Sequence, residues 1–245
     1  TFVLNRPTGG TLVTLNSPLT VTTTFNLLNG GFLNTSGLDF GSGAVVTRNS
    51  AASFIAGSAV PTGGPYDLIY EGAGLTTGVE FQGNINDFTS NSSGTIAATI
   101  SPAGAATIAG DFTIASGSFT LTTATSNLTV AGLLTHSGTT FTSNNNAVSV
   151  GSFINNGTFN APSSSNTLTI TAGNFTNNGT FNAGTSTTVF AASTAILGST
   201  NPTFRNITIG IGGDLTPPIG NPLLLAGNFT NDGVFNQGTG TVTFS

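Results

Sequence analysis

The feature that most constrains this chain is a repeat. Residues 172–190, AGNFTNNGTFNAGTSTTVF, return at 226–244 as AGNFTNDGVFNQGTGTVTF, with thirteen of nineteen positions identical. Each copy joins two short apolar strands through an Asn-Asn-Gly or Asn-Asp-Gly corner, and self-similarity of this kind marks a solenoid or array. Gly110, Gly132, Gly151 and Gly173 open successive units at intervals of 22, 19 and 22 residues, and Gly227 opens another after 54.

The apolar positions fall into columns, as stacking requires when each side chain covers its counterpart one coil below. One predicted column runs Phe112, Leu134, Phe153, Phe175 and Phe229, and a second runs Phe119, Phe141, Phe159, Phe181 and Phe235. A third strand closes each unit in the forms NLTV, AVSV, TLTI and PLLL. The expected fold is an all-β, parallel, right-handed β-helix with about three short strands per coil of about 20 residues and about twelve coils. Hairpins with the same corner would give an antiparallel β-sandwich instead. At the corner, Asn and Gly predict left-handed backbone, and stacked Asn side chains predict an amide ladder along the axis.

The whole of 1–245 reads as one elongated domain. Residues 1–60 look like degenerate coils, in which Phe25 and Phe32 flank Gly30-Gly31 as Phe175 and Phe181 flank their corner. Residues 61–90 hold both tyrosines and four of the eight acids, and read as a coil carrying an insertion. Residues 91–245 read as regular coils. They are interrupted near 211–222, where Pro217-Pro218 marks a protruding loop because proline cannot sit in a central strand.

Composition narrows the function. Only 4% of residues are charged, Lys is absent, and the fixed cations are Arg6, Arg48 and Arg205. Nucleic-acid binding needs clustered cations to neutralise phosphates, so that class is set aside, as is an anionic membrane surface. With no Cys, there are no disulfides, thiolate metal sites or attached haems. No stretch of about 20 apolar residues could span a membrane, and the N-terminus lacks a cationic segment leading into an apolar run, so a secreted form would have lost its signal already. Disorder conflicts with 19 Phe and abundant Val, Ile and Thr.

Few side chains could carry chemistry. His136 is the single histidine, beside a corner and without a sequence neighbour to make it a ligand or base. Asp67, Glu71, Glu80 and Asp87 could pair as carboxylates for glycoside hydrolysis, yet their segment has no Lys, Arg, His or Trp to hold a sugar, so a solvated loop is the simpler reading. No EF-hand-like or Gly-rich calcium repeat is present. Asn34, Asn91, Asn127, Asn156, Asn174, Asn178, Asn206 and Asn228 stand in glycosylation sequons, several of them inside the repeat. Threonine runs raise an ice-binding face, but their spacing drifts from unit to unit. No catalytic, cofactor-binding or metal-ligating residue is assigned, and the chain is read as a non-enzyme.

FRNITIG at 204–210, AGDFTIASGSFTLTTATSNLTVAG at 109–132 and the GNFTNNGTFNAGT unit resemble the repeats of large secreted surface and filament proteins of Bacteroidota-type bacteria, and more loosely autotransporter passenger domains. The resemblance covers most of residues 85–245. It implies export, a right-handed β-helix, and a fibrous or adhesive extracellular role. The expectation is therefore a structural subunit of an extracellular filament, with copies of itself as partners, joined head to tail through terminal strands. The alternative is a cell-surface adhesin or glycan-binding rod that presents 61–90 and 211–222.

Overall fold

A computed structural model of the chain describes residues 1–6, 12–34, 36–57, 59–98, 105–122, 127–163, 166–238 and 241–244. It is a β-solenoid of about 11 turns with about 21 residues per turn, one turn fewer than the spacing of the repeats predicts. Between the described strands every register is parallel, which excludes the antiparallel sandwich. Alternation explains the burial: Thr140–Thr142 and Thr158–Asn160 bury the central Phe and turn both flanking polar residues outward.

Each coil contributes strands to three faces. Face A stacks Phe2–Asn5, Thr24–Asn29, Val45–Arg48 and Tyr66–Tyr70, then the first part of Ile85–Ala98 and of Phe112–Leu121. Face B holds Val13–Leu15, Gly31–Asn34 and Phe54–Ala56, and lower down Thr140–Thr142, Thr158–Asn160 and Thr180–Asn182. Face C includes Thr167–Ile170, Thr187–Phe190 and Asn206–Ile209. The centre is packed with runs of aromatic contacts, for example Phe112 with Phe119 at 5.1 Å and Phe153 with Phe159 at 4.9 Å between ring centroids, both edge to face.

The two predicted columns hold through Phe175 and Phe181 and then fail. Phe112, Leu134, Phe153 and Phe175 are successive register partners on face A, and Phe119, Phe141, Phe159 and Phe181 are partners on face B. Phe229, however, pairs with Ile207 on face C, and Phe235 pairs with Leu215 on face A. Leu223–Leu225 likewise lies against Val242–Phe244, and Phe244 continues a column from Phe204 through Leu225. Two near-identical units therefore start one face apart. The reason is arithmetic: 54 residues is not a whole number of coils of about 21.

The insertion expected at 61–90 and the protruding loop expected near 211–222 leave no extra length in the register. Leu68 and Phe88 are partners across a coil of ordinary length, as are Thr194 and Leu215, and Phe204 and Leu225. Pro217 and Pro218 are buried directly after the strand Asp214–Thr216, so the proline pair turns a corner and does not project. What stands out there is Ile211 and Ile219, at 90% and 88% exposure.

Glycine at the Asn-Asn-Gly corner serves close stacking, not the left-handed backbone expected of it. Neither Gly157 nor Gly179 has positive φ, but a Cβ on Gly179 would lie 2.0 Å from the carbonyl oxygen of Gly157, and one on Gly157 would lie 2.2 Å from that of Gly138. The amide ladder does form. Inside the corner the Asn155 Nδ2 donates to Asn177 Oδ1 at 2.8 Å, and outside it Asn178 Nδ2 donates to Asn156 Oδ1 at 2.9 Å. The threonines, uneven in sequence, line up in space: Thr95, Ser118, Thr140, Thr158 and Thr180 share one outward column of face B. The neighbouring column is occupied by axial bonds, from Asn160 Nδ2 to Thr142 Oγ1 at 3.0 Å and from Asn182 Nδ2 to Asn160 Oδ1 at 2.8 Å.

Candidate functional site

Of the four acids in 61–90, three face outward and do not converge. Asp67 Oδ1 accepts from Asn86 Nδ2 at 3.0 Å, Glu71 Oε2 from Asn49 Nδ2 at 2.5 Å, and Asp87 Oδ1 from the Asp111 amide at 2.7 Å. Each is tied to the coil above or below, so no pair of them is poised across a substrate. Glu80 differs: it is fully buried, in a short 3-10 turn Val79–Gln82.

Its partner is a cation that inspection of its own segment could not supply. Arg48, one coil earlier and in register with Tyr70, places Nη1 at 2.7 Å from Glu80 Oε1, with side-chain exposures of 1% and 0%. The Tyr70 hydroxyl donates to the same oxygen at 2.6 Å, the Gly78 amide donates to it at 3.1 Å, and the Tyr66 hydroxyl donates to the Glu80 carbonyl. Arg48 Cζ lies 5.0 Å from the centre of the Tyr70 ring. Gly78 makes room for the carboxylate: its backbone is ordinary, but a Cβ there would sit 2.3 Å from Glu80 Oε2.

The electrostatics follow from burial and pairing. Burial works to lower the Arg48 pKa, but Glu80 and Tyr70 outweigh it and hold the guanidinium above its ordinary value. Burial, reinforced by the Glu80 charge, raises both Tyr66 and Tyr70 well above the ordinary phenol value, so both stay protonated donors.

The guanidinium also spans a break in the fold. Phe54–Ala56 pairs with Gly31–Leu33 on one side, and no strand among the described residues pairs with its other side. The next coil crosses face B as the segment 74–78, where Thr76 makes an isolated bridge onward to Ala97. Across this gap Arg48 Nε and Nη2 donate to the Ser53 carbonyl, the former at 2.8 Å, and Nη1 donates to the Thr76 carbonyl at 2.8 Å. One buried side chain thus satisfies carbonyls that a backbone ladder would otherwise pair. Outside it the gap opens as a cavity of about 470 Å³, lined chiefly by Phe54, Ile55, Thr76, Thr77, Val79 and Gln82.

His136 is no surface turn residue. It is buried on the inner side of the corner, at the head of the amide ladder, with Nδ1 at 2.9 Å from Asn155 Oδ1. The ladder runs on through Asn177, whose Nδ2 donates to Thr200 Oγ1 at 2.7 Å. Burial lowers the histidine pKa, and the Asn155 hydrogen bond opposes this only in part. Among the sequon asparagines, Asn34 is buried and donates to the Ala59 carbonyl at 2.9 Å, so it is closed to glycosylation, whereas Asn156, Asn174, Asn178 and Asn228 are exposed.

No group of three or more His, Cys, Asp or Glu among the described residues is placed to hold a metal ion. Among the described residues no helix is long and apolar enough to cross a membrane. Comparison with family models, with curated proteins and with solved structures gives no match.

Proposed function

We propose that the chain is a structural rod, a subunit of an extracellular bacterial filament in which copies associate head to tail by continuing the parallel sheets. The observation that carries this reading is the displacement of the two repeat copies by one face. A sequence kept nearly constant while its position around the axis changes serves a rule for adding coils, and does not build a site at one fixed place. Axial ladders and a nearly uncharged outside support it: little self-repulsion opposes association along the axis or side by side, and a chain with three Arg and no Lys offers trypsin few cuts. The extracellular setting and the bacterial source rest on the sequence resemblance. In this reading the chain has no catalytic step of its own.

Electron microscopy of the purified protein at native salt tests the proposal. Eleven coils at about 4.8 Å each give a unit about 50 Å long. Filaments with that axial repeat are expected. Dispersed single rods at every concentration would reject the filament and leave a free-standing surface rod.

A further inference from the structure

We infer that the gap in face B is a binding site for an uncharged sugar ring, a hexopyranose unit of a neutral polysaccharide. The cavity, about 470 Å³, is within the size range of small-ligand sites. Its wall combines one aromatic surface with uncharged polar groups. Phe54 is 37% exposed, and its ring lies over Gly31 beside Leu12. A Cβ on Gly31 would come within 2.4 Å of both Phe54 Cζ and Leu12 Cδ2, so glycine there gives the two side chains a flat seat and holds the ring in place. A pyranose offers a face of C–H groups to such a ring, and its hydroxyls then meet Thr76, Thr77 and Gln82.

Charge and topology select this occupant. Among the described residues the one ionic group in the wall is Arg48, and Glu80 neutralises it at 2.7 Å, so an anionic or cationic ligand gains no net attraction while losing its hydration. A fatty chain would cover the exposed Thr76 without offering its hydroxyl a hydrogen bond. An added peptide strand finds no room along the axis, because face A runs unbroken past the gap from Val46 to Leu68 to Phe88.

The test is titration of the intact protein with cellohexaose, laminarihexaose and linear mannohexaose, with oligogalacturonate and octanoate as controls, read by calorimetry or NMR. Saturable binding of a neutral oligosaccharide is expected, weakened about tenfold or more in Phe54→Ala, which is about 1.4 kcal/mol, and kept in Phe54→Trp. Phe54 lies at the surface, so an unchanged melting temperature separates lost binding from lost fold. Binding indifferent to Phe54→Ala, preference for oligogalacturonate or octanoate, or no saturable binding of any neutral probe up to about 10 mM would each overturn the assignment.

Discussion

Two regions of the rod solve the same problem differently. Between Asp111 and Arg205 no Asp, Glu, Lys or Arg occurs, and the coils are joined by backbone ladders, stacked Phe and amide chains. Between Arg48 and Glu80 the strands of face B part, and a buried ion pair with two tyrosines closes the distance. Where the coil rule is obeyed, uncharged groups suffice. Where a strand is missing, its hydrogen bonds must be replaced, and a guanidinium, with five donors in a plane, can reach carbonyls on both sides.

This contrast predicts a ranking of mutational effects. Arg48→Met leaves Glu80 buried without its counter-charge and the Ser53 and Thr76 carbonyls without donors. A loss of about 3–5 kcal/mol is expected in chemical denaturation, more than for Glu80 and Arg48 removed together. If the double variant is the worse of the two, the pair is not the closure described. In the regular region Phe141→Ala should cost about 3–5 kcal/mol as a cavity opens between Phe112, Phe119 and Phe159. Native-state hydrogen exchange should show that loss concentrated in the neighbouring coils.

Asn155→Leu is a smaller cut. It orphans His136 Nδ1 and Asn177 Oδ1 inside the corner, at about 1–3 kcal/mol. A loss equal to that of the exposed control Asn178→Ser would mean that the inner ladder contributes nothing. The weakest expected effect is acid sensitivity. His136 in the unfolded chain protonates near 6.5 and in the folded chain only at lower pH, so the unfolded state binds more protons below that point. Stability should be full above about pH 6.5, decline as pH falls beneath it, and level off under the folded value. A titration of stability that stays flat from neutral pH to 5 in the wild type, or one that still declines in His136→Gln, contradicts this.

Much of the architecture was legible in the residues. Period-two alternation and a coil of about 20 residues identified the strands, the parallel stack and four members of each Phe column, because stacking forces like onto like. Three things were not legible, each for a physical reason. The phase of the second repeat depends on summed coil lengths, which resemblance between Phe175 and Phe229 cannot reveal. The corner glycines look like turn formers, although what selects them is a carbonyl one coil away. Arg48 and Glu80 lie 32 residues apart, so their pairing shows only after the register is known. A coil spacing of 22 between Arg48 and Tyr70 was the one signal that could have brought them together.

The central claim, that coil length and not sequence likeness decides which face a unit occupies, is open to a direct measurement because the chain has no native cysteine. Thr208 and Thr230 are outward register partners on face C. Had the second repeat continued the column of the first, through Phe175 and Ile196 with 211–222 looped out as the prolines suggest, Thr230 would instead lie beside Leu197. The Thr208→Cys/Thr230→Cys variant should oxidise readily to an intramolecular disulfide, since adjacent parallel strands set the Cα atoms about 5 Å apart. Leu197→Cys/Thr230→Cys should remain reduced. Cross-linking in the second pair and not in the first would contradict the account.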